Sequence, residues 1–123
     1  HLSPVFHGML RSGRWAVVAG SSSVARRAEA YWGPYSASKA ALENMVGVYA
    51  EEMRVLGVNA LLVDPGGTRT TMRARAFPGE DPATLKTPDV VADAIAEALA
   101  GMGPGCTRLT VSKDGTSAVS VAA

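Results

Sequence analysis

Cysteine is nearly absent: Cys106 stands alone among 123 residues. That excludes an internal disulfide framework and fits a reducing, cytoplasmic compartment. Because it follows Gly103-Pro104-Gly105, this thiol reads as buried or idle rather than nucleophilic. Charge of one sign is lacking too, with 12 Lys+Arg against 11 Asp+Glu and a net charge of +1. This argues against charge-driven partnership with nucleic acid or a membrane surface. Arg26-Arg27 and the set Arg69, Arg73, Arg75 read mostly as solvated loop charges. No run approaches the ~18 apolar residues of a membrane span. No charged stretch precedes an apolar one at the start, so no signal peptide is visible. His1 and His7 have no metal-ligand spacing with Cys106 or with a carboxylate pair, so no metal site is expected. There is no internal repeat and no initiator Met, and His1-Leu2-Ser3-Pro4-Val5-Phe6 reads like the interior of a longer sequence.

What is present is 47% hydrophobic and 19% charged, a composition of one soluble globular domain at most. Residues 4–11 suit a helix end that Gly13 breaks. Trp15-Ala16-Val17-Val18-Ala19 is a short continuous apolar run, read as a strand buried on both faces. Gly20 to Gly33 is loop-like. Gly33-Pro34 opens a helix that runs to about Leu56, with Pro at its first position. Leu42, Met45, Val46, Tyr49 and Met53 form its apolar stripe, widened by Ala41, Val48 and Val55. Gly57 caps it. Val58-Asn59-Ala60-Leu61-Leu62-Val63 is a second buried strand, so strand, helix and strand make a βαβ unit with a parallel sheet. Asp64 to Lys86 is a long loop, of the kind that serves as a lid or binding loop. Thr87-Pro88-Asp89 starts another helix, with an apolar face of Val91, Ala94, Ile95, Ala98 and Leu99. Leu109-Thr110-Val111 reads as a last strand. Nothing is assigned after Gly115.

Tyr35 and Lys39, in Tyr35-Ser36-Ala37-Ser38-Lys39, are the most informative pair. Four residues apart on a helix, they share one face. A nearby ammonium favours a phenolate over a phenol, whose ordinary pKa is about 10. A Tyr tuned in that way exchanges protons with a hydroxyl or carbonyl near neutral pH. Such a pair also occurs by chance as a surface Tyr beside a solvated Lys. Its context is a Gly-Pro helix start after a strand and a serine loop, where open α/β sheets place ligands. Downstream, Pro65-Gly66-Gly67-Thr68-Arg69-Thr70 is either a strand-ending turn or a ligand loop. Its glycines permit close backbone approach, and hydroxyls with free N–H groups suit phosphate oxygens. Gly101-Met102-Gly103-Pro104-Gly105 follows a helix instead of opening one and fails as a dinucleotide loop. Tyr31-Trp32 fits either a substrate mouth or packing against the serine loop.

Ser21-Ser22-Ser23-Val24-Ala25, then Trp32-Gly33-Pro34-Tyr35-Ser36-Ala37-Ser38-Lys39-Ala40-Ala41-Leu42, then Val58-Asn59-Ala60 and Pro65 to Thr70, together resemble the second half of a short-chain dehydrogenase/reductase. The likeness covers about residues 5–112. Over Gly66 to Thr87, with Thr68-Arg69-Thr70, Phe77-Pro78 and Glu80-Asp81-Pro82, the chain is most similar to the YciK-like bacterial oxidoreductases. The resemblance implies an α/β fold, a partial Rossmann-like doubly wound parallel sheet. Residues 1–123 would be the C-terminal half of a single domain whose nucleotide-binding half lies outside the chain. It implies an NAD(P)-dependent oxidoreductase acting on a small carbonyl or alcohol, with NADP or NAD as cofactor.

By the same resemblance, Ser22, Tyr35 and Lys39 are catalytic. Tyr35 is the acid/base. Lys39 bonds the nicotinamide ribose and tunes Tyr35. Ser22 holds the substrate oxygen, with Ser23 as the alternative one residue on. Cofactor contacts fall to Tyr35, Lys39, Pro65, Gly66, Thr68 and Thr70. Thr68 meets the carboxamide through its backbone, and Thr70 reaches the carboxamide or pyrophosphate. Arg69 either adds charge near the phosphates or is solvated. Helix 34–56 is expected to build a homo-oligomer contact. The other class of function left open is a non-catalytic half-enzyme or interaction module using that helix.

Overall fold

The computed structural model of the chain describes residues 15–68 and 70–122. The helix end over residues 4–11, its Gly13 break and the role of Arg69 lie outside the described residues. The sheet has four strands: β1 (Ala16–Gly20), β2 (Asn59–Asp64), β3 (Gly105–Val111) and β4 (Ser117–Val121), in that spatial order. β1, β2 and β3 are parallel, and β4 returns antiparallel along β3. Helix α1 (Gly33–Glu52) crosses from β1 to β2, and α3 (Pro88–Gly101) crosses from β2 to β3. A short helix, α2 (Thr71–Ala76), lies inside the long loop after β2.

Alternation along β2 and β3 builds two cores. Successive strand residues face opposite sides of a sheet. Ala60, Leu62 and Cys106 face α1 and meet Val46 and Ala50. Leu61, Val63, Leu109 and Val111 face α3 and meet Val91, Ala94, Ala98, Leu99 and Met102. β2 is buried at every position, as a central strand covered on both faces must be. The α/β, doubly wound reading therefore holds. Among the described residues no helix is long and apolar enough to cross a membrane, and no group of His, Cys, Asp and Glu could hold a metal ion.

Four local expectations change. β1 is only half-buried, with Val18 exposed, because it is an edge strand among the described residues. The 34–56 helix is an α-helix to Glu52 and a separate 3-10 turn over Arg54–Leu56, ended by Gly57 in the left-handed region (φ 71°). The last strand begins at Gly105 rather than Leu109, and the unassigned tail forms β4, exposed at all five positions. Thr87 does precede the first turn of α3, with Pro88 at its start, but makes no side-chain cap bond.

The buried stripe of α1 is also rotated from the expected one. Met45 and Tyr49 are exposed, while Ser36, Lys39 and Glu43 are at least partly covered. With Val46 and Ala50, these three follow the i, i+3, i+4 spacing of one helix face. The sheet-facing stripe is thus polar over the first turns and apolar beyond. Each polar member finds a partner. The Ser36 hydroxyl donates to the Val24 carbonyl (2.6 Å), and the Lys39 ammonium to the Gly20 carbonyl (3.1 Å). Glu43 accepts from the Ser21 hydroxyl (2.5 Å) and pairs with Arg108 of β3 (2.6 Å). α1 is seated by hydrogen bonds at one end and by packing at the other.

Candidate active site

Parallel strands put their carboxyl ends on one edge of the sheet, and there the candidate residues gather. Gly20, the last residue of β1, lies opposite Val63, and Asp64, the last of β2, lies opposite Thr110. The serine loop leaves β1 and the Pro65–Thr70 loop leaves β2 beside each other. Ser21 continues the β1 pairing by one residue, its N–H donating to the Val63 carbonyl at 2.7 Å. It is buried and its hydroxyl is engaged by Glu43. Ser22 follows in extended conformation (φ −154°, ψ 154°), half-buried, before the 3-10 turn Ser23–Ala25. Ser23 is exposed on that turn. Val24 packs underneath and receives the Ser36 hydroxyl, which fastens the serine loop to the first turn of α1.

Tyr35 and Lys39 stand together as their spacing requires. The Lys39 Nζ lies 5.8 Å from the Tyr35 ring centroid. A cation at that range from an aromatic ring is favourably placed. Its bond to Gly20 brings the Tyr35–Lys39 pair to the end of β1. The Tyr35 ring is 44% exposed and meets Trp32 edge-on, with centroids 5.7 Å apart and planes at 71°. Trp32 thus packs within the site, while Tyr31, at φ 71°, is fully exposed.

The Pro65–Thr70 loop is held from behind. Asp64 is buried and its Oδ1 accepts from the Gly66 N–H at 3.1 Å. Gly66 is left-handed (φ 61°), and a Cβ there would sit 3.0 Å from the Val111 carbonyl oxygen. An L side chain there would be strained in conformation and tightly placed against that oxygen. The Thr68 hydroxyl turns back toward the Pro65 and Gly66 carbonyls (3.4 and 3.3 Å). Thr70 caps α2, its Oγ1 accepting from the Arg73 N–H at 3.1 Å. A hydroxyl that accepts there can still donate elsewhere.

Sequence reasoning missed Arg73, Phe77, Glu80 and Lys86. Arg73 is not a solvated loop charge. Its guanidinium donates through Nε and Nη2 to both Glu80 carboxylate oxygens (2.8 and 2.9 Å) and lies 4.0 Å over the Phe77 ring. The paired hydrogen bonds hold the Glu80 carboxyl below its ordinary pKa and raise that of Arg73. Phe77 in turn stacks on Trp32 (6.5 Å, planes at 13°). Lys86 is buried and donates from Nζ to the Gly67 carbonyl at 2.7 Å. Burial pushes its pKa down, and Asp64 opposes that shift. The only sequence signal for these contacts was the length of the loop they brace. Cys106 is buried as expected, and burial raises its thiol pKa, which keeps it inert.

Residues 2–81 match the family model for short chain dehydrogenases. Over 81 residues the chain is 53% identical to the uncharacterized oxidoreductase YciK of Escherichia coli (strain K12), a match that covers 65% of this chain and 31% of that protein. A short chain dehydrogenase from Shigella flexneri 2a str. 301, complexed with NADP, is 45% identical, with a TM-score of 0.64 over 76% of this chain and 38% of the other. Another from Escherichia coli CFT073, complexed with NADPH, is 46% identical, with a TM-score of 0.61 over 77% of this chain and 38% of the other. The chain spans well under half the length of these relatives. It belongs to the short chain dehydrogenase family.

Proposed function

We propose that the chain carries the acid–base part of an NAD(P)-dependent oxidoreductase acting on a small carbonyl or alcohol. The observation that carries this reading is the seating of Lys39. Its Nζ lies beside the Tyr35 ring and bonds the end of β1, at the sheet edge where the Pro65–Thr70 loop also emerges. Residues 1–123 are read as the C-terminal half of one nucleotide-binding domain, with NADP or NAD as the cofactor.

The donor set fits a nicotinamide dinucleotide. Lys39 uses one N–H on Gly20 and keeps two for ribose hydroxyls. The Thr70 hydroxyl, occupied as an acceptor, keeps its proton for a carboxamide or phosphate oxygen. Pro65, Gly66 and Thr68 offer backbone at the same edge. When bound, the cofactor supplies or accepts the hydride.

Tyr35 then gives a proton to the substrate oxygen in reduction and takes one in oxidation. Its hydroxyl has no hydrogen-bond partner among the described residues and is open to a ligand. Ser22 donates to the substrate oxygen as negative charge builds there. It is favoured over Ser23 because it lies half-buried where β1 ends, whereas Ser23 faces solvent. The Ser21 hydroxyl is already committed to Glu43.

The test is Tyr35→Phe, with NADPH binding and carbonyl reduction followed separately. Turnover should fall at least about a hundredfold with binding retained. Unchanged turnover would sink the assignment. A second reading, contact with another copy of the chain, is favoured by Met45, Val48 and Tyr49, exposed on α1 away from the sheet. A concentration-dependent sedimentation coefficient, lost in Met45→Glu, would support it.

A further inference from the structure

Asp64 and Lys86 are the charged residues less than a tenth exposed among those described, at 7% and 8%. Both abut the Pro65–Thr70 loop, Asp64 from the end of β2 and Lys86 from the segment leading into α3. A buried ammonium is costly unless hydrogen-bonded and paired. Lys86 meets the first condition, donating to the Gly67 carbonyl at 2.7 Å, and the charge of Asp64 offsets part of the cost of burial. Its backbone also forms an isolated parallel bridge with Thr68. The ammonium lies so close behind Gly66 that a Cβ there would be 3.1 Å from Nζ.

Two successive glycines would otherwise leave this loop free to adopt many conformations. Fixing the Gly67 carbonyl removes that freedom at one peptide plane. The bond is trans, so the Thr68 N–H leaves the opposite edge of the plane. Neutralising Asp64 would require only a nearby charge. Lys86 does more, because its hydrogen bond selects one orientation of the peptide.

We infer that Lys86 is a positioning residue: buried behind Gly66 and bonded to the Gly67 carbonyl, it sets the orientation of the Gly67–Thr68 peptide that the loop presents to a bound nicotinamide. The inference rests on reading the Pro65–Thr70 loop as a cofactor contact. Lys86 itself acts through the loop.

The experiment compares isotope-labelled wild-type protein with Lys86→Met, which keeps the length of the side chain without its donors, and Lys86→Arg, which restores a cation. Backbone order parameters are measured first, without ligand. In Lys86→Met those of Gly66, Gly67 and Thr68 should fall from the rigid range of about 0.85 to about 0.6 or below. Resonances of β1, β2 and α3 should stay in place. NADPH titration should then show about ten- to a hundredfold weaker binding in Lys86→Met, recovered in part by Lys86→Arg. A loop as rigid in Lys86→Met as in wild type overturns the inference. So does a disturbance spread evenly over the sheet while the folded fraction keeps its NADPH affinity, because that marks a merely structural lysine. If the loop loosens in a protein that binds no NADPH, the positioning of the peptide is supported and only the cofactor reading fails.

Discussion

The rings of Trp32 and Phe77 stack, their centroids 6.5 Å apart and their planes 13° from parallel. Trp32 immediately precedes α1 and Phe77 immediately follows α2, so this contact joins the start of α1 to the end of α2. The stack continues in both directions, to Tyr35 edge-on and to Arg73 over the other ring. Aromatic pairs in this geometry are worth about 0.5–1.5 kcal/mol beyond their area. A double-mutant cycle of Trp32→Ala and Phe77→Ala, read by chemical unfolding, should return a coupling energy in that range. A coupling near zero would mean that the rings touch without holding the two segments together.

The pair Arg73–Glu80 gives the same segment a pH dependence. Hydrogen bonding to Arg73 lowers the Glu80 pKa below its ordinary 4.5. A carboxyl depressed in the folded state contributes stability above its unfolded pKa and loses it as pH falls through the folded value. The contribution is therefore complete at neutral pH and fades below pH 4.5. Unfolding curves of wild type and Glu80→Gln should differ at pH 7 and converge on acidification. The exposed Arg54–Glu51 pair has the same sign but is open to solvent, so Glu51→Gln should shift stability little at any pH.

Periodicity disclosed the parallel β1–α1–β2 unit and α3 because central strands and long helices repeat their burial regularly. It missed β4, whose Ser-Ala-Val-Ser-Val sequence is short and exposed at every position, so no apolar run marks it. The expected stripe on α1 holds at Leu42 and Val46 but not at Met45 and Tyr49, because the side chains that seat its first turns are Ser36, Lys39 and Glu43, which hydropathy scores as solvent-facing. The Tyr35–Lys39 proximity was legible, since helix geometry fixes i and i+4. Lys86 was not. Its partner Gly67 lies 19 residues earlier, and the intervening loop folds by side-chain bonds without any period to read.

Glu43 and Arg108 are both about seven-eighths buried, and Arg108 Nε has no partner among the described residues. Removing one member of such a pair strands the other charge, at a cost of about 3–5 kcal/mol. Glu43→Ala should be destabilising on that scale in chemical unfolding. The double variant Glu43→Leu with Arg108→Met should recover most of the loss, because two apolar groups leave no buried charge behind. If the double variant is as unstable as Glu43→Ala, the pair works through the Ser21 bond rather than through charge.

Two left-handed glycines should respond differently to Ala. At Gly57 an added Cβ meets nothing within 4 Å, so only the backbone preference of about 1–2 kcal/mol is lost. At Gly66 the same preference is joined by contact with the Val111 carbonyl and the Lys86 ammonium. Gly66→Ala should therefore be the more destabilising in thermal unfolding and should move the amide resonances of Gly67 and Thr68. Equal effects at the two positions would show that the close packing behind Gly66 is relieved at little cost.

The three consecutive serines separate structure from chemistry. Ser21 is buried and its hydroxyl bonds Glu43, so Ser21→Ala should cost about 1–3 kcal/mol of stability and leave turnover per folded molecule near wild type. Ser22 makes no cap bond with its hydroxyl and lies half-buried at the end of β1. If it donates to the substrate oxygen in the transition state, Ser22→Ala should lower turnover by about 10²–10³ with stability unchanged. Ser23 is exposed on the 3-10 turn, and Ser23→Ala should change neither quantity appreciably. Measuring kcat and the unfolding midpoint for all three variants sorts them. A large kcat loss at Ser23 with none at Ser22 would move the donor by one residue and require the turn to present its first residue, rather than the extended one before it, to the substrate.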